Sequence, residues 1–383
     1  MSSRSSKTPV ALIFTANGSG LGHISRAIKL ANTLAKHKWS VLVVTGNPAA
    51  NYFCCERGVD VVRMPCLEKS GNYKRRSRTG YSDPVNVIGT RKSLLLTLAV
   101  ECRPSLFIVD HKPVGISGEL IDTLSELRKR DVTRILVLRD FGGDHRIVKS
   151  TWDQDGAWSA FELYNQIIVL GDRGAYDWDN LIGRPRNRPA LSYLGFLVAE
   201  RRSIWPRRRR RGTLVLGGGG AHAYELFANI VNDLHFLLPA PVTICTGPLM
   251  VHEERSSLVA SLNNDAIVKD YIPSLEHQLD HFEVVVSQAG SISTELAFKG
   301  VDTILVPRNQ ESGEQEMRAQ YWAKVAPSVL LSDLDSIRGQ IHALRKHLGS
   351  STTIQPLRQT LPNLFVTPAD VVEFILNEGS THH

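Results

Sequence analysis

Residues 284–319, VVVSQAGSISTELAFKGVDTILVPRNQESGEQEMRA, constrain the fold more than any other stretch of the chain. Two apolar, strand-like runs, 284–286 and 303–306, flank a helix-like segment, and a polar loop follows the second run. A strand-loop-helix-strand unit of this kind belongs to a parallel sheet, and both of its loops open at the carboxyl edge, where open α/β sheets bind ligands. The first loop, Ser287 to Ser291, is short, small and glycine-containing. Its amides, with those that open the next helix, can approach an anion without obstruction, so Ala289, Gly290, Ser291 and Ile292 read as a phosphate seat. The second loop, Arg308 to Gln315, offers donors and acceptors suited to hydroxyl groups.

The same grammar occurs twice more. At the start, an apolar run at 10–16 leads through Gly18-Ser19-Gly20-Leu21-Gly22-His23 into a segment with Ile24, Ala27, Ile28, Ala31, Leu34 and Ala35 at helical spacing, then a strand at 41–45. A dinucleotide site would carry an acidic residue after that strand, whereas Thr45-Gly46-Asn47 stands there, so the loop argues against NAD. Strands are expected at 106–109, 135–138, 167–170, 191–195 and 196–198, with a helix over 115–127. After them a strand at 213–216 runs into Gly217 to Gly220, and a helix is expected over 221–238. Strands at 242–246 and 267–269 follow, the latter ending in Asp270-Tyr271-Ile272.

A chain of 383 residues exceeds one comfortable core of roughly 150–200 residues. Two α/β domains are therefore expected: residues 1–198, an Arg-rich linker at 199–212, residues 213–362, and a tail at 363–383 whose helix at 368–377 packs back on the first domain. The segment 72–87, basic and aromatic without clear periodicity, reads as a loop over the acceptor pocket. Of the formal charge of +7, five positives fall between Arg207 and Arg211. That run suits either a solvated linker or an anionic partner, and without it the balance is ordinary. Five cysteines with no CxxC pair read as reduced thiols in a cytoplasmic protein. The polar start lacks a secretory apolar region, and no run is long enough to span a membrane.

Chemistry enters with His23, which opens a helix after a glycine loop. A neutral imidazole there can take a proton from a hydroxyl, and the positive end of the helix dipole favours the neutral form. Asp110 ends the strand at 106–109 at the same edge, where it can orient His23; its alternative roles are to cap the next helix or to pair with Lys112.

Taken in order, these motifs resemble the GT-B glycosyltransferases, in the branch that contains the bacterial lipid-linked N-acetylglucosaminyltransferase of peptidoglycan synthesis. A GxGGH-type loop facing the acceptor corresponds to Gly18 through His23, with Ser19, Gly20 and Gly22 on the acceptor side. The resemblance implies donor-phosphate binding by Gly219, Gly220, Ala221, His222 and the loop through Ala289, Gly290, Ser291 and Ile292. It implies base binding by Tyr271 and Ile272, ribose binding by Glu295, and sugar binding by the segment that contains Arg308, Glu314, Gln315 and Arg318. Two departures stand out: Gly290 to Glu295 is one step shorter than usual, and Arg318 replaces an asparagine, which adds a charge near the sugar. The sequence LVLRDFGGD at 136–144 also resembles a further set of predicted glycosyltransferases.

The implied activity is inverting, metal-independent transfer of a sugar from a nucleotide-diphosphate sugar, UDP-GlcNAc or UDP-glucose for example, to an acceptor hydroxyl, with His23 as base. It needs no cofactor and no nucleic acid, and it touches a membrane only peripherally if the acceptor is lipid-linked. Two alternatives compete: a nucleotide-sugar 2-epimerase or hydrolase on the same scaffold, and a nucleic-acid-binding protein using Arg207 to Arg211. Three DxD patterns, at 153–155, 177–179 and 333–335, would need to end buried strands to hold a metal, and their flanking sequence does not read that way.

Overall fold

A computed structural model describes residues 8–16, 20–70, 74–78, 83–183, 188–200, 209–231, 238–262, 266–308, 312–348 and 357–379. The first half builds a seven-stranded sheet, every neighbouring pair parallel, in the order β3-β2-β1-β6-β7-β8-β9. Its strands are β1 (Val10–Thr15), β2 (Ser40–Thr45), β3 (Val59–Arg63), β6 (Leu106–Asp110), β7 (Thr133–Leu138), β8 (Gln166–Val169) and β9 (Leu191–Tyr193). The second half builds a six-stranded parallel sheet in the order β13-β12-β11-β14-β15-β16. These are β11 (Thr213–Leu216), β12 (Val242–Cys245), β13 (Ala266–Lys269), β14 (Val284–Ser287), β15 (Asp302–Leu305) and β16 (Val329–Leu331). Each sheet reverses its strand order once, between β1 and β6 and between β11 and β14. The loops after those four strands therefore meet the crevices where such sheets take ligands. The architecture is the GT-B arrangement of two Rossmann-like halves.

The central strands are buried along their length, because helices cover both faces. Helix α1 (Gly22–Lys36) buries Ile24, Ala27, Ile28, Ala31 and Leu34, as expected from their spacing, together with Leu30, while Ala35 is half-buried. The C-terminal helix Pro368–Gly379 crosses back and sets Val371, Val372 and Ile375 into the same core as α1. Just before it, the short strand Phe365–Val366 pairs in parallel with Phe196–Leu197 at the end of the first half. One apolar core runs through both halves at this seam. Trp322, on α9 (Glu314–Val325), is fully buried, with its ring 4.8 Å from Phe196 and stacked on Phe365 at 6.0 Å.

Several expectations change. The helix expected over 115–127 is α3, Ile121–Lys129. Residues 115–120 instead make turns, with positive φ at Gly115, Ser117 and Gly118, because the Glu119 carboxylate accepts from the Ile116 amide and pairs with Arg91. That pair, Arg91 Nε–Oε2 at 2.5 Å and NH2–Oε1 at 2.9 Å, is wholly buried. Within the segment expected as a loop, Lys74–Ser77 pairs antiparallel with Leu67–Ser70, and a helix begins at Pro84 behind an Asp83 cap. The other residues of that segment, 72–73 and 79–82, lie outside the described set. The helix expected from 221 begins at Tyr224. Arg207 and Arg208 also lie outside, but Arg210 is not a solvated linker residue: it is 4% exposed and donates to the carbonyls of Gly300 (2.8 Å) and Lys299 (3.3 Å). An arginine at that helix end answers the negative pole of the dipole. Among the described residues no helix is long and apolar enough to cross a membrane.

Trp322→Ala removes a large ring from a fully packed seam and should cost about 3–5 kcal/mol. Denaturant titration followed by tryptophan fluorescence and circular dichroism checks this; an unchanged midpoint would contradict a shared core.

Candidate active site

The end of β1 and the end of β6 are neighbours in the sheet, with Thr15 paired to Asp110. His23, in the first turn of α1, and Asp110 are thereby delivered to one point from residues 87 apart. His23 Nδ1 and Asp110 Oδ2 form a short hydrogen bond, and Arg26 Nε reaches the other carboxylate oxygen at 2.5 Å. Arg26 NH2 also lies 3.1 Å from Nδ1. An ionised carboxylate only accepts, so Nδ1 carries the proton that it donates to Asp110, its approach to the Arg26 NH2 group is not a hydrogen bond, and Nε2 keeps the lone pair. Burial raises the Asp110 carboxyl, but Arg26 and His23 outweigh it and bring it down to about 2. His23, 14% exposed, is pushed below the usual histidine range by burial, which Asp110 only partly offsets. The site therefore holds an ionised carboxylate and a neutral imidazole near pH 7. His111, in the left-handed region at φ +67°, stacks on His23 with ring centroids 5.4 Å apart.

The glycine loop before His23 touches the second half. A β-carbon on Gly219 would lie 2.9 Å from Gly20 Cα, and one on Gly22 would lie 2.8 Å from Ser291 Oγ. Backbone without side chains is what lets these loops meet. Asn47 holds the first loop by donating to the Gly20 carbonyl at 2.7 Å. Ser19 lies outside the described residues.

In the second half, Ser291 opens α8 (Ile292–Lys299). The first backbone bonds of that turn run from Ser293 to Gly290 (3.1 Å) and from Thr294 to Ser291 (3.3 Å), which places the amides of Ser291 and Ile292 ahead of the helical ladder. Ala289 is buried, and none of the described residues lies within 4 Å of a β-carbon built on Gly290. Gln288 Nε2 donates to the His222 carbonyl at 2.8 Å, tying this loop to the one that carries Gly219, Gly220 and Ala221. Gly220, at φ +95°, needs its glycine.

Glu295 is buried at the same cleft. Its Oε1 accepts from the Ala199 amide at 2.6 Å and from Lys29 at 3.4 Å, while its Oε2 is buried without a hydrogen-bond partner among the described residues. Burial raises its pKa, with Lys29 opposing. Lys29 also pairs with Glu276 at 3.5 Å. The cleft between the halves is lined here by Gly22, Arg26, Lys29, Glu276, Ser291 and Glu295. Ile272 packs in the core beside Leu214 and Cys245, and Tyr271 meets two rings of the first half, Tyr52 at 5.2 Å and Phe53 at 5.9 Å.

The sugar segment stands differently from its sequence reading. Gln315 Oε1 accepts from the Arg308 amide at 2.9 Å, which shapes the loop. Glu314 pairs with Arg139 of the first half at 2.7 Å. Arg318 is not a charge open to a sugar: it is 2% exposed, and its fork is held by Asp140, Glu314 and the Ala289 carbonyl.

The Asp110 carboxylate is held by His23 and Arg26, and α3 opens at Leu120 with no side-chain cap. Arg26, Asn47, Lys29 and Asp140 escaped the sequence reading. Arg26 lies three residues after His23 and shares its helix face, a signal that could have found it. Each DxD pattern serves locally: Asp153 accepts from the Trp158 indole, Asp155 from the Ser117 amide (3.1 Å), Asp177 caps a helix at Asn180 (3.0 Å), Asp179 pairs with Arg188 (3.1 Å), and Asp333 accepts from Ser336 (2.7 Å). Among the described residues no group of three or more side chains is placed to hold a metal ion.

Residues 213–353 match the family model of the Glycosyltransferase family 28 C-terminal domain. A comparison with curated protein sequences finds no match. Solved structures share the fold over nearly the whole chain. The glycotransferase of kitacinnamycin is 14% identical with a TM-score of 0.60, covering 97% of this chain and 98% of its own. MurG of Acinetobacter baumannii is 13% identical with a TM-score of 0.56, covering 96% and 99%. UGT2 of Phytolacca americana, solved with UDP-2fluoro-glucose and pterostilbene, is 12% identical with a TM-score of 0.56, covering 97% and 100%. Residues 213–353 are thus similar to the glycosyltransferase family 28 C-terminal domain, and the chain as a whole has the GT-B fold.

Asp110 supports the protonated imidazole, so Asp110→Asn should lower the His23 pKa further below its already depressed value. Histidine nitrogen-15 NMR across pH 4–8 reads this directly; an upward shift would contradict the assigned pair.

Proposed function

We propose that this chain is an inverting, metal-independent glycosyltransferase that moves a sugar from a nucleotide-diphosphate sugar, a UDP-sugar in the first instance, to an acceptor hydroxyl. The observation that carries the reading is the meeting of two parts: the turn of α1 that bears His23 rests on Ser291, where the amides open α8. A base with an ionised carboxylate behind it is thus held beside a seat for negative charge.

In this reading the donor diphosphate lies on the amides of Ser291 and Ile292 and the loop at Gly219, Gly220, Ala221 and His222, with helix dipoles supplying the positive field. The Oε2 of Glu295, buried and without a hydrogen-bond partner among the described residues, suits a ribose hydroxyl as donor, while Lys29 stays on the other oxygen. The base lies along the backbone at Tyr271 and Ile272, and Gln315 and Arg308 face the sugar. His23 Nε2 takes the proton of the acceptor hydroxyl as its oxygen attacks the anomeric carbon. The bond to the diphosphate breaks on the opposite face, and the nucleotide leaves with the electron pair. Asp110 then stabilises the imidazolium. The UDP-sugar bound in the Phytolacca americana protein supports the choice of nucleotide. The epimerase or hydrolase reading needs free carboxylates around the donor sugar, whereas Glu314 is held by Arg139 and Arg318. The nucleic-acid reading is weakened by the buried Arg210.

Calorimetric titration with UDP, dTDP and GDP should show UDP binding. His23→Ala should retain that binding while losing roughly 10²–10⁴-fold in turnover. Because protonation silences the base and burial lowers its pKa, the acid fall in wild-type activity should lie at lower pH than an ordinary histidine would give. A fully active His23→Ala variant would refute the base assignment.

A further inference from the structure

Two stretches have no part in the transfer chemistry described above: the sequence RDFGGD at 139–144, and Arg318 in the place of an asparagine. They meet in the structure. Asp140 leaves the end of β7 in the first half and accepts a fork from Arg318, Nε to Oδ2 and NH2 to Oδ1, both at 2.8 Å. The same guanidinium donates through NH1 to the Ala289 carbonyl at 2.9 Å and through NH2 to Glu314 Oε1 at 2.7 Å, and it lies over the Phe141 ring at 5.5 Å. Beside it, Arg139 pairs with the second oxygen of Glu314 at 2.7 Å, and the Asp144 amide donates to the Ser312 carbonyl at 2.7 Å.

We infer that Asp140 is a positioning residue for the donor site, acting through Arg318 to align the phosphate loop at Ala289 and the first turn of α9 with the docked first half. The inference rests on the donor reading above and deepens it. Replacing a buried ion pair by apolar packing is often neutral or stabilising, so stability alone does not account for one. What a planar fork adds is direction: its donors are fixed relative to one another, and here they join three separate segments. The Ala289 carbonyl belongs to the peptide that leads into Ser291 and Ile292, whose amides form the anion seat. When the halves are docked, Asp140 sets the guanidinium and the guanidinium sets that peptide. When they separate, the seat and the sugar segment lose a common support. Donor affinity therefore depends on a carboxylate in the other half, one held by the guanidinium fork rather than offered to a ligand.

The test is UDP titration by calorimetry together with donor kinetics on wild type and Asp140→Asn. UDP binding should weaken at least tenfold in the variant, and donor KM should rise by more than kcat falls. A folded Asp140→Asn protein that binds UDP like wild type overturns the inference. Should that variant not fold, hydrogen exchange on the wild type decides: UDP should protect residues 139–144 together with 287–291 and 312–318, and protection of 287–291 without 139–144 overturns it. A wild type that binds none of UDP, dTDP and GDP removes the donor reading, and this inference with it.

Discussion

The Arg318 fork is the contact on which the arrangement of the two halves turns. An arginine at 2% exposure can be tolerated only if its charge is matched and its donors are used, and Asp140, Glu314 and the Ala289 carbonyl do both. Burial alone would weaken its hold on the proton, yet Asp140 and Glu314 more than reverse that, so the group stays charged. Because one partner is in the first half and two are in the second, satisfying the arginine and docking the halves are the same event. The aromatic seam of Phe196, Trp322 and Phe365 does the non-directional part of that work, and the ion cluster supplies register.

The histidine site shows the same logic at smaller scale. Asp110 would lose its charge in a dry strand end, but Arg26 and His23 keep it ionised. That anion then selects the His23 tautomer, and burial keeps the ring neutral. Arg26 works on both: it stabilises the carboxylate and, by its own charge, discourages a second cation on the imidazole. Three side chains, two of them a helix turn apart, settle the protonation state of the site.

Much of this was legible in the sequence because it is local. Apolar runs bounded by glycine loops give parallel strands, and Ile24 through Leu34 give a helix with one buried stripe. A rule of topology, that loops at the carboxyl ends of parallel strands converge, offered His23 as one partner for Asp110 beside a helix cap or Lys112, and the fold brought the two together. Errors arose where distant partners override local preference. Residues 115–120 looked helical, but the Glu119 carboxylate is claimed by Arg91 and bends the chain into turns. Arg318 looked like a sugar contact because nothing in its neighbourhood along the chain announces Asp140, 178 residues away. Arg210 looked solvated within a run of like charges, and the carbonyls it serves lie about 90 positions on.

The sequence by itself determined the strands, the glycine loops, the helix that carries the histidine and the division into two α/β halves, since periodicity and backbone permissiveness act over a few residues. Only the tertiary structure decided which charges are open to a ligand and which are consumed inside the protein. A side chain's role as ligand or support depends on what lies within about 3 Å of it, and that distance is closed by segments whose separation along the chain carries no signal.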